Sequence, residues 1–136
     1  MKQVFLSYHD IHTDCIKLAK IIKKKYKPHK LILISRGGLI PGSIIANYLG
    51  IQDIDVIALK TYADRKKNTD IKIFKRIKSE KKLIVIDDLV DSGDTAKIVK
   101  EMMPNSNFVV LYAKTSGKKI LILKFLKELS LRKNLL

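Results

Sequence analysis

The chain has 136 residues, 46% of them apolar and 30% charged, enough for one compact domain and too few for two. Twenty-eight Lys and Arg against thirteen Asp and Glu leave a formal charge of +15, which suits polyanionic partners but is equally the mark of a lysine-rich composition. No uncharged apolar run approaches the roughly 18 residues a membrane span needs, and Cys15, the single cysteine, excludes an internal disulfide and a cysteine-based zinc site. The opening MKQVFLSYHD lacks a signal-peptide core, so a cytoplasmic protein is expected.

In chain order, residues 4–7 read as a short first strand ending in Tyr8 and His9. Ile11, Cys15, Leu18, Ile22 and Tyr26 then recur at helical spacing with lysines between them, predicting an amphipathic helix closed near Pro28. Cys15 is expected in its core face, and His9 and His12 exposed around its start. LILIS at 31–35 is a continuous apolar strand followed by the loop Arg36-Gly37-Gly38. A helix is predicted over 40–49, with Pro41 suited to its first turn. DVIALK (55–60) is the next strand, YADRKKNTD (62–70) a polar loop, and IKIF (71–74) a short strand before a basic turn. LIVID (83–87) reads as a buried strand, 95–103 as a helix, and NFVVLYAK (107–114) as a final strand. Apolar strands alternating with helices predict a mostly parallel α/β sheet covered on both faces, with ligands bound beyond the carboxyl ends of the strands. Three such ends carry polar or glycine-bearing sequence: 35–38, 87–95 and Lys114.

Four of the thirteen acids, Asp87, Asp88, Asp91 and Asp94, fall within eight residues of a strongly basic chain. There a strand runs into Asp87-Asp88, then a turn, then Thr95 opening a helix. Unpaired N–H groups at a helix start receive a phosphate, Ser92 and Thr95 add hydroxyls, and Gly93 lets the backbone approach. Asp87 and Asp88 repel a phosphate but suit hydroxyl donors and Mg²⁺. A single capping residue would explain one of these aspartates, not four. A ligand with a terminal phosphate, a diol and a metal-bound pyrophosphate satisfies all these groups, as 5-phosphoribosyl-1-pyrophosphate does. A phospho-accepting receiver domain would carry its acidic pair after the first strand, and an EF-hand needs acids at alternate positions with a closing glutamate; neither pattern is present. SRGGLIPG (35–42) is not a Walker loop, because Ser43 stands where the lysine must be, nor G-x-G-x-x-G, because Leu39 holds the second glycine position.

VIDDLVDSGDTA (85–96) resembles the ribose-phosphate signature of type I phosphoribosyltransferases. SRGGLIPG, the strand ending before Tyr62, and YAKTSGK (112–118) resemble the bacterial xanthine-guanine (6-oxopurine) branch, in the same order and similar spacing over about 4–118. The resemblance implies a type I phosphoribosyltransferase fold and transfer of ribose 5-phosphate from 5-phosphoribosyl-1-pyrophosphate to guanine, xanthine or hypoxanthine, yielding a nucleoside monophosphate and pyrophosphate with Mg²⁺. It implies that Arg36, Gly37 and Gly38 bind pyrophosphate, with a cis peptide at Ser35–Arg36. Asp87 and Asp88 would hold the ribose hydroxyls, Asp88 on the metal side; Ser92, Gly93, Asp94 and Thr95 would wrap the 5′-phosphate. Asp91, beside the donor, would handle the purine N7 proton as catalytic residue, and Lys114 would donate to the 6-oxo group. Residues 60–69 would be a closing loop, whose phosphate-binding arginine has no clear counterpart among Arg65, Lys66 and Lys67. A homodimer or homotetramer is implied as well.

The chain departs from that pattern after Gly117. Residues 118–136, KKILILKFLKELSLRKNLL, contain no Trp and Phe125 as the one aromatic. Ile122, Phe125, Leu126, Leu129 and Lys133 suit a basic amphipathic helix in place of the family's purine-stacking hood. We therefore expect a core over 1–117 and an atypical tail over 118–136, the hood being rebuilt or lost through a shifted or shortened reading frame. The alternative function is a regulator on the same fold, sensing the donor or a nucleotide and binding RNA through its basic surface. Specific nucleic-acid readout is not expected, because no stacking aromatics interleave the basic residues.

Overall fold

Ser7 and Asp10 open the first helix. In the computed structural model, which describes residues 5–61, 71–73 and 82–113, the Asp10 amide donates to Ser7 Oγ at 3.1 Å and the Ser7 amide to Asp10 Oδ2 at 2.9 Å. This capping box starts α1 (Tyr8–Lys25). It also corrects the expected strand over 4–7: residues 5–7 are not strand, because the reciprocal Ser7–Asp10 bonds commit the backbone to a helix entry. Receiver domains remain excluded, since the first strand among the described residues is β1 (Lys30–Ser35) and Arg36-Gly37-Gly38 follows it. α1 buries Cys15, Leu18, Ala19 and Ile22, the spacing read from the sequence, and ends on Tyr26 before Pro28.

The remaining elements are α2 (Leu39–Leu49), β2 (Ile54–Thr61), β3 (Ile71–Ile73), β4 (Leu83–Val90), α3 (Asp94–Met102) and β5 (Asn107–Ala113). The sheet order is β3-β2-β1-β4-β5. β2, β1, β4 and β5 run parallel, and β3 pairs antiparallel with β2. Leu31, Leu33, Ile84, Ile86, Val109 and Leu111 bury one face under α1 and α2. Ile32, Ile34, Ile57, Leu83 and Val85 bury the other against Val99 and Met103 at α3. Both faces being covered explains why the strands read as unbroken apolar runs. This is the expected α/β architecture of type I phosphoribosyltransferases. β4 runs three residues past its predicted end, so Asp88 as well as Asp87 lies within the strand. Lys114 and the tail over 118–136 lie outside the described residues, as do the polar loop over 62–70 and the basic turn.

Candidate active site

β1 and β4 are neighbours in the sheet, which brings two sequence-distant loops to one edge. After β1 the Ser35–Arg36 peptide is cis, as the resemblance implied. The chain then turns tightly: the Gly38 amide donates to the Ile34 carbonyl at 2.8 Å and the Leu39 amide to the Arg36 carbonyl at 3.1 Å, launching α2. Gly38 lies against the backbones of both strands. A Cβ there would fall 2.8 Å from the Ile34 carbonyl oxygen and closer still to that of Ile86. A Cβ on Gly37 would collide with the Asp88 carboxylate. Gly38 is thus required by its approach to backbone, Gly37 faces only the end of the Asp88 side chain, and Arg36 stands exposed beside them.

Successive strand residues point to opposite faces, so the two aspartates diverge. Asp88, half-buried, turns toward Gly37 on the α2 side. Asp87, on the α3 side, is only 8% exposed, and its Oδ1 accepts the Asp88 amide at 2.9 Å. Burial pushes the Asp87 carboxyl up to about 7; the Asp88 amide opposes that shift and the Asp88 side chain adds to it. A buried carboxyl at this position can accept hydroxyl donors.

Beyond β4, Asp91 and Ser92 are exposed and Gly93 takes φ 87° as the residue before α3, the left-handed conformation glycine adopts without strain. Ser92 Oγ donates to Asp94 Oδ2 at 2.7 Å, and the Asp94 amide donates to Ser92 Oγ at 3.3 Å. Lys97 Nζ lies 3.8 Å from Asp94 Oδ1, offsetting a carboxylate at a helix start that otherwise favours anions. Thr95 is half-buried at the same end.

The fold therefore brings together Arg36, Gly37, Gly38, Asp87 and Asp88, and carries Asp91, Ser92, Gly93, Asp94 and Thr95 directly from β4. Among the described residues no group of three or more His, Cys, Asp or Glu forms a metal cage. A lone carboxylate facing a backbone loop instead fits Mg²⁺, which keeps waters and substrate phosphates as most of its ligands. Sequence reading passed over Leu89. It stands between Asp88 and Asp91, shares the Asp87 side of β4, is 39% exposed and is registered beside Tyr112 of β5. Its signal was there: an apolar residue wedged among acids at a strand's carboxyl end.

A sheet whose switch between β1 and β4 holds a glycine turn, an aspartate pair and a helix start defines a phosphoribosyltransferase-type site. A phosphoribosyl transferase domain model matches residues 6–122, and the chain belongs to that family. Among solved structures it is similar to a purine phosphoribosyltransferase from Pyrococcus horikoshii, at 26% identity over 88% of this chain and 83% of that one, with a TM-score of 0.73. A Neisseria gonorrhoeae protein solved with bound ppGpp is 27% identical over 88% of this chain and 78% of its own, with a TM-score of 0.67. The Helicobacter pylori xanthine-guanine-hypoxanthine phosphoribosyltransferase shares the fold at 23% identity, covering 85% and 80% of the two chains, with a TM-score of 0.67.

Proposed function

We propose that the protein is a Mg²⁺-dependent purine salvage enzyme that moves ribose 5-phosphate from 5-phosphoribosyl-1-pyrophosphate to a 6-oxopurine. The observation that carries the reading is the contact of the Asp88 carboxylate with Gly37. It supports a reading in which Asp88 accepts from hydroxyls and metal beside a turn that receives the leaving pyrophosphate, with the α3 start taking the 5′-phosphate. The Pyrococcus protein, a purine phosphoribosyltransferase by name, supports the substrate class.

In the reaction the C1–oxygen bond to pyrophosphate breaks, a C1–nitrogen bond to the purine forms, and the purine gives up one proton. Arg36 and the Gly37 amide hold the pyrophosphate and meet the charge that grows on it, while Gly38, its amide bonded to the Ile34 carbonyl, keeps the turn close to the strands. Asp87 and Asp88 accept from the ribose hydroxyls, and Asp88 is the residue that would hold Mg²⁺. When bound, the metal neutralises pyrophosphate charge. Ser92, Gly93, Asp94 and Thr95 hold the 5′-phosphate, so that the donor is oriented before it reacts. Asp91 accepts or shares the N7 proton, and Lys114 donates to the 6-oxo group. Leu89 adds an apolar surface for the purine. We place the enzyme in the cytoplasm, as a homodimer or homotetramer with the core over 1–117.

Pyrophosphate release from the donor with guanine, hypoxanthine and xanthine, each with and without Mg²⁺, tests this. Release with at least one base and none without metal is expected; no release with any base rejects it. The charge of +15 favours a second reading, a donor-sensing regulator that binds RNA. RNA binding by scattered lysines would weaken steeply with salt, and a sequence-specific complex that survives high salt, with no turnover, would establish the regulator instead.

A further inference from the structure

β5 is the last strand in the sheet order, paired with β4 alone among the described strands. An outer strand's carboxyl end, held from one side, is where a ladder frays first. Here a second attachment exists. Tyr112 Oη donates to Asp14 Oδ2 of α1 at 3.0 Å, across 98 residues of sequence. Asp14 is itself anchored: it precedes Cys15, which is fully buried, and its Oδ1 lies 3.4 Å from Lys17 Nζ. The α1 register is in turn set by Leu18, Ala19 and Ile22 in the core. The bond therefore ties the carboxyl end of β5 to α1, which is packed on the core and carries none of the site residues.

Its position gives it a use. Tyr112 is registered with Leu89, and Ala113 with Val90. The donor groups stand elsewhere, on β1, on β4 and at the start of α3. We propose that Tyr112 and Asp14 are positioning residues for the purine half of the site, fixing the carboxyl end of β5 so that it stands at a set distance from Leu89. This rests on the phosphoribosyltransferase reading above. Neither residue touches the reacting atoms. They act through the β5 end, which lies beside Leu89 in the ladder.

The test is Tyr112→Phe, which keeps the ring and removes only the donor. The Michaelis constant for the purine should rise about three- to tenfold, the loss expected from one hydrogen bond, while donor affinity by calorimetry stays within about twofold of the parent. Asp14→Ala should reproduce the rise, and Asp14→Asn, whose amide oxygen still accepts, should recover most of it. Amide hydrogen exchange should quicken at Leu111, Tyr112 and Ala113 in Tyr112→Phe, with exchange in β1 unchanged. A purine constant that does not move, exchange that does not move, or donor and purine constants rising together would each overturn the proposal. If the parent protein releases no pyrophosphate, the enzymatic reading fails. The exchange measurement, and nucleoside monophosphate affinity compared with donor affinity, then still decide the tether.

Discussion

The Asp88 carboxylate occupies the space that a Cβ on Gly37 would need, so the Arg36-Gly37-Gly38 turn and Asp88 are in contact. The neighbouring glycine is confined differently, by the carbonyl oxygens of Ile34 and Ile86. The two should respond differently to the same change. In Gly37→Ala the obstacle is the end of a side chain, which can swing away, so the fold should survive and Mg²⁺-dependent donor binding should fall. In Gly38→Ala the obstacle is backbone, and overpacking of this kind costs about 1–3 kcal/mol. Denaturant melts and donor calorimetry on both variants check this; equal loss of stability in the two would count against it.

Asp88→Asn keeps the shape of the strand and removes one charge. Donor affinity should drop about tenfold or more in saturating Mg²⁺, the effect of losing a charge-assisted contact, and should change far less without metal. Thermal stability should hold. Calorimetry with and without Mg²⁺ reads both arms, and an unchanged affinity in metal would remove Asp88 from the metal side.

Asp87 gives the protein a pH dependence with a definite sign. Its carboxyl stands at about 7 in the fold, against 3.8 ordinarily. Between those values the folded protein holds a proton that the unfolded chain has lost, so stability declines as pH rises through that window and levels off above it. Asp87→Asn, whose oxygen can still accept the Asp88 amide, should abolish the decline and stabilise the ligand-free protein by about 2–4 kcal/mol above pH 8, with little effect near pH 4. Donor binding should weaken in the same variant, because an ionised carboxylate accepts the ribose hydroxyls better. Melts from pH 4 to 9 test the slope; a parent protein that gains stability across this range would contradict it.

Leu89 is exposed where an apolar surface costs the free protein solvation. If a purine packs there, Leu89→Glu should raise the purine Michaelis constant about tenfold or more, through lost apolar contact and a buried charge. Donor affinity should move little. Steady-state kinetics with each substrate varied separately gives the answer, and a variant unaffected toward the purine would return Leu89 to an incidental surface residue.

Sequence alone marked most of the elements and the cluster of residues proposed for the donor side. The helical spacing of Ile11, Cys15, Leu18 and Ile22 and the apolar runs at 31–35 and 83–87 are local patterns, imposed by burial on one or both faces. The clustering of Asp87, Asp88, Asp91 and Asp94 with Ser92 and Thr95 is equally local, because one strand-loop-helix carries it. The opening residues misled: an apolar stretch over 4–7 has the composition of a strand, but residues 5–7 are not strand and the bonds between Ser7 and Asp10 make Ser7 a helix cap. Relationships between distant segments were decided by the tertiary structure. Sheet order sets β1 beside β4 and so puts Gly37 against Asp88. Strand alternation sends Asp87 into a buried position that shifts its proton affinity while Asp88 faces the turn. The bond from Tyr112 to Asp14 spans 98 residues and leaves no trace in the local pattern of either, because a hydrogen bond across a fold depends on where two elements pack and not on the residues next to them in the chain.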